Sequence, residues 1–129
     1  MDNSRNTVIM VDDDITNLTV ARNNLAENYN VFTAPSGEKL FRLLDRITPD
    51  LILLDIEMPE MNGFAVLEKL KQKEKTANIP VIFLTADKDP ERETEGLNMG
   101  AAAFVTKPFS RDILLKQIDM FILSSTESG

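Results

Sequence analysis

Short apolar runs stopped by a polar side chain recur along the chain, and they constrain the fold more than any other feature. Val8-Ile9-Met10-Val11 ends at Asp12-Asp13, and Leu51-Ile52-Leu53-Leu54 ends at Asp55. Val81-Ile82-Phe83-Leu84 ends at Thr85, and Ala103-Phe104-Val105-Thr106 ends at Lys107. Runs this short and this apolar read as strands buried on both faces, the signature of a parallel sheet. The spacing predicts strands at Thr7–Val11, Val31–Ala34, Leu51–Leu54, Val81–Leu84 and Ala102–Thr106. Between and after them lie amphipathic segments predicted as helices: Ile15–Asn28, Glu38–Arg46, Phe64–Lys73, Pro90–Met99 and Arg111–Leu123. Asp14, Ser36 and Ser110 are placed to cap the first, second and fifth of these helices. Regular alternation of strand and helix implies an α/β fold with helices on both faces of the sheet.

In an open sheet of this kind the carboxyl ends of the strands meet at one edge, where ligands bind. Asp12, Asp13, Asp55, Thr85 and Lys107 would converge there, three acids with one hydroxyl and one amine. Such a pocket suits a divalent cation and a phosphoryl group. Taken singly, Asp12 and Asp13 could be helix caps, Thr85 a strand-end hydroxyl and Lys107 a solvated charge. Asp14 reads as a cap rather than a ligand.

Composition narrows the chemistry further. The 129 residues include no histidine, which excludes histidine-based acid–base catalysis and Ser-His triads and requires any phosphohistidine to come from another chain. There is no cysteine, so no disulfide or thiolate metal site, in keeping with a reducing, cytoplasmic setting. A net charge of -7 argues against direct nucleic-acid binding. No apolar run reaches the roughly 18 residues of a membrane span. We expect a single domain over 1–129, with its core about 7–123 and a polar tail or the start of a linker at 124–129.

Four motifs taken together, Val11-Asp12-Asp13-Asp14, Leu53-Leu54-Asp55-Ile56-Glu57-Met58-Pro59-Glu60-Met61-Asn62-Gly63, Phe83-Leu84-Thr85-Ala86 and Phe104-Val105-Thr106-Lys107-Pro108-Phe109, closely resemble the receiver domain of two-component response regulators. The resemblance runs from about Thr7 to Leu123. It implies a flavodoxin-like (βα)5 doubly wound sandwich, with a five-stranded parallel sheet of order 2-1-3-4-5. It implies a phosphorylation-controlled signalling switch, Mg²⁺-dependent, in which Asp55 accepts a phosphoryl group from a partner histidine kinase or phosphotransfer protein. By the same resemblance Asp13 and Asp55 ligate Mg²⁺ directly, Asp12 acts through water, and the Glu57 backbone carbonyl adds an oxygen. Lys107 and Thr85 would contact the phosphoryl oxygens, with Thr85 and Phe104 forming the switch and a cis Lys107–Pro108 bond orienting the lysine. No enzymatic activity is implied beyond phosphorylation and dephosphorylation of the chain's own aspartate. Glu57 and Asp87 flank the pocket at positions that influence the lifetime of an aspartyl phosphate. Ala101-Ala102-Ala103 departs from the family's acidic pattern before the last strand.

Two further expectations concern the far edge of the sheet. The segment Pro90–Met99 has only Leu97 and Met99 as apolar residues and an interior Gly96, so it should be mobile. On the last helix, Leu114, Leu115, Ile118, Phe121 and Ile122 share one arc, leaving Ile113 and Met120 outside it. Those two residues would join a homodimer or effector face formed with the fourth helix and the fifth strand. The competing readings are a receiver-like protein-binding module that takes no phosphate, and a phosphatase of the haloacid dehalogenase type. The latter carries its nucleophile on the first strand and needs a cap domain, and neither fits here. A dinucleotide-binding half-domain fails because no Gly-x-Gly-x-x-Gly follows the first strand.

Overall fold

In the computed structural model, which describes residues 5–86 and 89–128 and the side chains of 5–86 and 89–122, the apolar runs form one parallel sheet. Its strands are β1 (Thr7–Val11), β2 (Asn30–Ala34), β3 (Leu51–Asp55), β4 (Val81–Thr85) and β5 (Ala103–Thr106), in the order β2-β1-β3-β4-β5. The helices among the described residues are α1 (Ile15–Leu25), α2 (Gly37–Leu44), α3 (Gly63–Lys71), α4 (Glu74–Ala77), α5 (Pro90–Asn98) and α6 (Arg111–Ser128). The architecture is the flavodoxin-like sandwich expected from the motifs.

Strand alternation divides the core in two. Val8, Met10, Leu51, Leu53, Ile82, Leu84 and Val105 pack against Leu18, Ala21 and Leu25 of α1 and Leu114, Ile118 and Ile122 of α6. Ile9, Val11, Ile52, Leu54, Val81 and Phe83 pack against Leu40 and Leu44 of α2 and Val66, Leu67 and Leu70 of α3. The three inner strands are buried almost throughout, which accounts for their unbroken apolar sequences.

The expected caps are formed: Asp14 accepts from the Thr16 amide, Ser36 from that of Lys39 and Ser110 from that of Ile113. Asn62 and Asp89 cap α3 and α5 in the same way. Element ends differ from the periodicity in several places. α1 stops at Leu25, three residues early, because the Asn28 and Tyr29 amides turn back to the Leu25 carbonyl and Tyr29 is buried with its hydroxyl on Asp119. α2 likewise ends at Leu44, with Arg46 in the following turn. α4 was not expected; its single turn buries only Thr76, whose hydroxyl donates to the Leu70 carbonyl at 2.6 Å, and four residues carry no periodicity to read. α6 runs on to Ser128, past the end at Leu123 read from periodicity, since serine and glutamate lower helix stability only slightly and nothing in 124–128 breaks a helix.

Two glycines allow close approaches on which the site depends. A Cβ on Gly63 would stand 2.7 Å from the Asp55 carbonyl oxygen and 2.8 Å from the Ile56 Cα, so only glycine lets α3 begin against the end of β3. A Cβ on Gly96 would stand 2.6 Å from the Phe104 ring. Gly63→Ala should therefore lower unfolding stability by about 1–3 kcal/mol, the usual cost of forcing an atom into packed backbone. Urea unfolding followed by circular dichroism measures it, and an unchanged midpoint would contradict the contact.

Candidate functional site

Strand register builds the site. β1 and β3 pair Val11 with Leu54, so Asp12 and Asp55 follow as neighbours. β4 and β5 pair Thr85 with Thr106, which brings Lys107 to the same edge. Asp12, Asp55 and Lys107 continue the strand parity that faces α1 and α6. The Lys107 ammonium donates to Asp12 Oδ2 at 2.9 Å and to Asp55 Oδ1 at 3.2 Å. Asp13, on the opposite parity to Asp12, is exposed, yet one oxygen from each of Asp12, Asp13 and Asp55 lies within 4.8 Å of the others.

The three acids are not equivalent. Asp12 is almost wholly buried and its oxygens are engaged: besides Lys107, they accept from the Asp14 amide at 3.0 Å and the Asn17 side chain at 3.1 Å. Asp55 is buried, and desolvation together with the neighbouring Asp12 charge lifts its pKa from 3.8 to about 6, against the opposing pull of Lys107 and the Glu57 amide. Burial alone would lower the Lys107 pKa, but its hydrogen bond to Asp12 and the charges of Asp55 and Asp12 leave it raised above 10.5. Lys107 therefore remains cationic. Its peptide bond to Pro108 is cis, as the motif resemblance implies.

The remaining predicted residues are placed nearby but engaged differently. Thr85 is buried at the end of β4, and its carbonyl accepts the Lys107 amide at 2.7 Å. The Glu57 side chain turns to solvent and pairs with Arg92 at 2.7 Å, while its amide donates to Asp55. Phe104 lies on the other face of the sheet from Lys107, its ring 5.1 Å from that of Phe83 and against Gly96. Asp87 lies outside the described residues. Asn17 and Arg92 were missed. Asn17 sits one helical turn beyond Asp13, the available signal; nothing local marks Arg92, whose partner is 35 residues away.

Chemically, a carboxylate cluster without histidine or cysteine offers only hard oxygen donors, which select Mg²⁺ or Ca²⁺ over softer metals. Asp12, Asp13 and Asp55 each bring one carboxylate oxygen to that cluster, and of the three Asp13 is the exposed one. A carboxyl whose folded pKa exceeds its unfolded value contributes stability that is fully present below about pH 3.8 and lost as pH rises through about 6. Asp55→Asn removes that charge. It should raise cation-free stability at pH 7.5 by about 1–3 kcal/mol, with the advantage over wild type shrinking towards pH 5. Thermal melts at the two pH values decide this; an advantage that grows on acidification would refute the raised pKa.

Comparison with known proteins agrees with this geometry. The family model described as the response regulator receiver domain matches residues 8–119. A probable cyclic di-GMP phosphodiesterase from Vibrio cholerae is 39% identical over 117 residues, covering 91% of this chain and 26% of that protein. The chain spans less than two thirds of the length of the curated relatives it matches. Among solved structures, the Vibrio cholerae chemotaxis protein CheY4 matches with a TM-score of 0.86 at 29% identity, covering 91% of this chain and 98% of that one. The receiver domain of the Pseudomonas aeruginosa sensor histidine kinase PA1611, solved with a magnesium ion coordinated in its active site cleft, matches with a TM-score of 0.83 at 26% identity over 92% and 98% of the two chains. With the fold, the acidic pocket and the family model in agreement, the chain belongs to the response regulator receiver domain family.

Proposed function

We propose that Asp55 is the acceptor of a phosphoryl group and that its phosphorylation controls this signalling switch. The observation that carries this is the buried Asp55 carboxylate, reached by Lys107 at 3.2 Å and clustered with two further acids. Phosphoryl transfer is chiefly positioning and charge stabilisation, so a site without histidine suffices. An Asp55 oxygen would bond to phosphorus as the P–N bond of a partner's phosphohistidine breaks, returning the imidazole to that partner. Lys107, already cationic and hydrogen-bonded here, would meet the added charge, and the Thr85 hydroxyl would take one phosphoryl oxygen. Asp13, Asp55 and the Glu57 carbonyl would hold Mg²⁺, with Asp12 acting through water. Bound there, the cation would supply positive charge to the phosphoryl oxygens. The donor is a histidine kinase or phosphotransfer protein of the cytoplasm, and the chain turns over no separate substrate.

Intact-mass measurement tests this with acetyl phosphate and Mg²⁺. One phosphoryl group should be gained, and Asp55→Asn should lose the gain entirely. Full labelling of that variant would move the acceptor elsewhere. Millimolar Mg²⁺ should also raise the melting temperature at pH 7.5, and less so at pH 5, where protonation of Asp55 competes with the cation. No response to Mg²⁺ at pH 7.5 would remove the metal site.

The output face we propose lies beside β5. Leu97 of α5 and Ile113 and Met120 of α6 are 42%, 54% and 48% exposed, on the two helices that flank this edge strand. Only Gly96 of α5 is buried, so this helix is weakly anchored and its position can shift in population when Asp55 is phosphorylated, with Thr85 and Phe104 carrying the change. A second copy of the chain would cover the apolar positions. Sedimentation with beryllofluoride and Mg²⁺ should show dimers that Ile113→Glu abolishes; a monomeric activated wild type would refute the dimer.

A further inference from the structure

Arg92 stands in the first turn of α5, and its side chain is one-third exposed. Its contacts include two that bear on the pocket: Nη1 lies 2.7 Å from Glu57 Oε1, and the guanidinium lies 5.3 Å from the centre of the Phe64 ring. Glu57 follows Asp55 by two residues, and its amide already donates to the Asp55 carboxylate. Its own carboxylate would therefore stand at the mouth of the pocket if nothing drew it away. The Lys107 ammonium is already shared between Asp12 and Asp55, so another carboxylate at the mouth would add to a local excess of negative charge. A phosphodonor is itself anionic, and its approach is sensitive to charges placed along the way.

We infer that Arg92 is a positioning residue for phosphoryl transfer: it draws the Glu57 carboxylate onto α5 and neutralises it, keeping the mouth of the Asp55 pocket open to an anionic donor. An exposed ion pair adds little to stability, so the effect of this one lies in where it puts charge. The Phe64 contact ties the same guanidinium to α3, and Phe64 leads to Phe83 at 5.3 Å and on to Phe104 at 5.1 Å. Donor access is thereby linked to the placement of α5, the least buried of the helices on that face.

This role rests on Asp55 being the acceptor, and the experiment separates the two. Acetyl phosphate with Mg²⁺ is the probe; its phosphorus–oxygen bond to acetate breaks as the Asp55 oxygen–phosphorus bond forms, and acetate leaves. Initial rates by intact mass at low ionic strength should be about threefold lower for Arg92→Gln and close to wild type for Arg92→Lys. The deficit should vanish near 1 M salt, where the screening length is about 3 Å. Adding Glu57→Gln to Arg92→Gln should restore the wild-type rate, which a purely structural defect would not permit. Arg92→Met, which keeps an apolar stem on Phe64, replaces Arg92→Gln if that variant melts below the assay temperature. A wild type that never gains the phosphoryl group overturns the acceptor assignment and this role with it. A labelled wild type with an equally fast Arg92→Gln variant, or a deficit that persists in the double variant, overturns only the role of Arg92.

Discussion

One ammonium shared by two buried carboxylates holds the working edge of this molecule together. Lys107 reaches Asp12 and Asp55 at once, at 2.9 Å and 3.2 Å. Two carboxylates about 4 Å apart repel by roughly 4 kcal/mol at an effective dielectric near 20, and burial adds a desolvation cost. The lysine offsets part of this, yet the Asp55 pKa still sits near 6. The pocket is thus short of positive charge. The same shortage makes the pairing of Glu57 with Arg92 consequential, since another carboxylate at the mouth would deepen the deficit.

The sheet delivers these groups through parity and register. Positions that alternate along a strand face opposite layers, so Asp12, Asp55 and Lys107 extend the rows of Val8 and Met10, Leu51 and Leu53, and Ala103 and Val105. Phe83 and Phe104 belong to the other layer, beneath α3 and α5. The acid–lysine cluster and the Phe83–Phe104 pair are therefore on opposite faces of the sheet. Gly63 and Gly96 permit the two approaches that join them: α3 onto the end of β3, and α5 onto the Phe104 ring.

That second approach revises the sense of Gly96. As a propensity matter, an interior helical glycine only weakens α5. In the folded protein it is the buried residue of that helix and the seat of the Phe104 ring. The cost in helix stability and the gain in packing sit at one position, so α5 is held by an aromatic contact and the Arg92 pair more than by a hydrophobic stripe.

The strands, their parallel arrangement and the acids, threonine and lysine at their carboxyl ends were legible in the sequence, because two-sided burial forces unbroken apolar runs and the residue that breaks each run marks the edge. The caps at Asp14, Ser36 and Ser110 were legible for the same local reason, a short polar side chain next to its own helix. The covered and bare arcs of α6 follow from helical period alone, with Leu114, Ile118 and Ile122 buried and Ile113 and Met120 exposed. What spans long stretches of chain was not legible. Tyr29 ends α1 by meeting Asp119, 90 residues on, and Arg92 finds Glu57 across 35 residues. The inequality among Asp12, Asp13 and Asp55 also waits on the fold. Adjacent or similar in sequence, they become buried and hydrogen-bonded, exposed, or buried and strained only when burial and the reach of Lys107 are set in three dimensions.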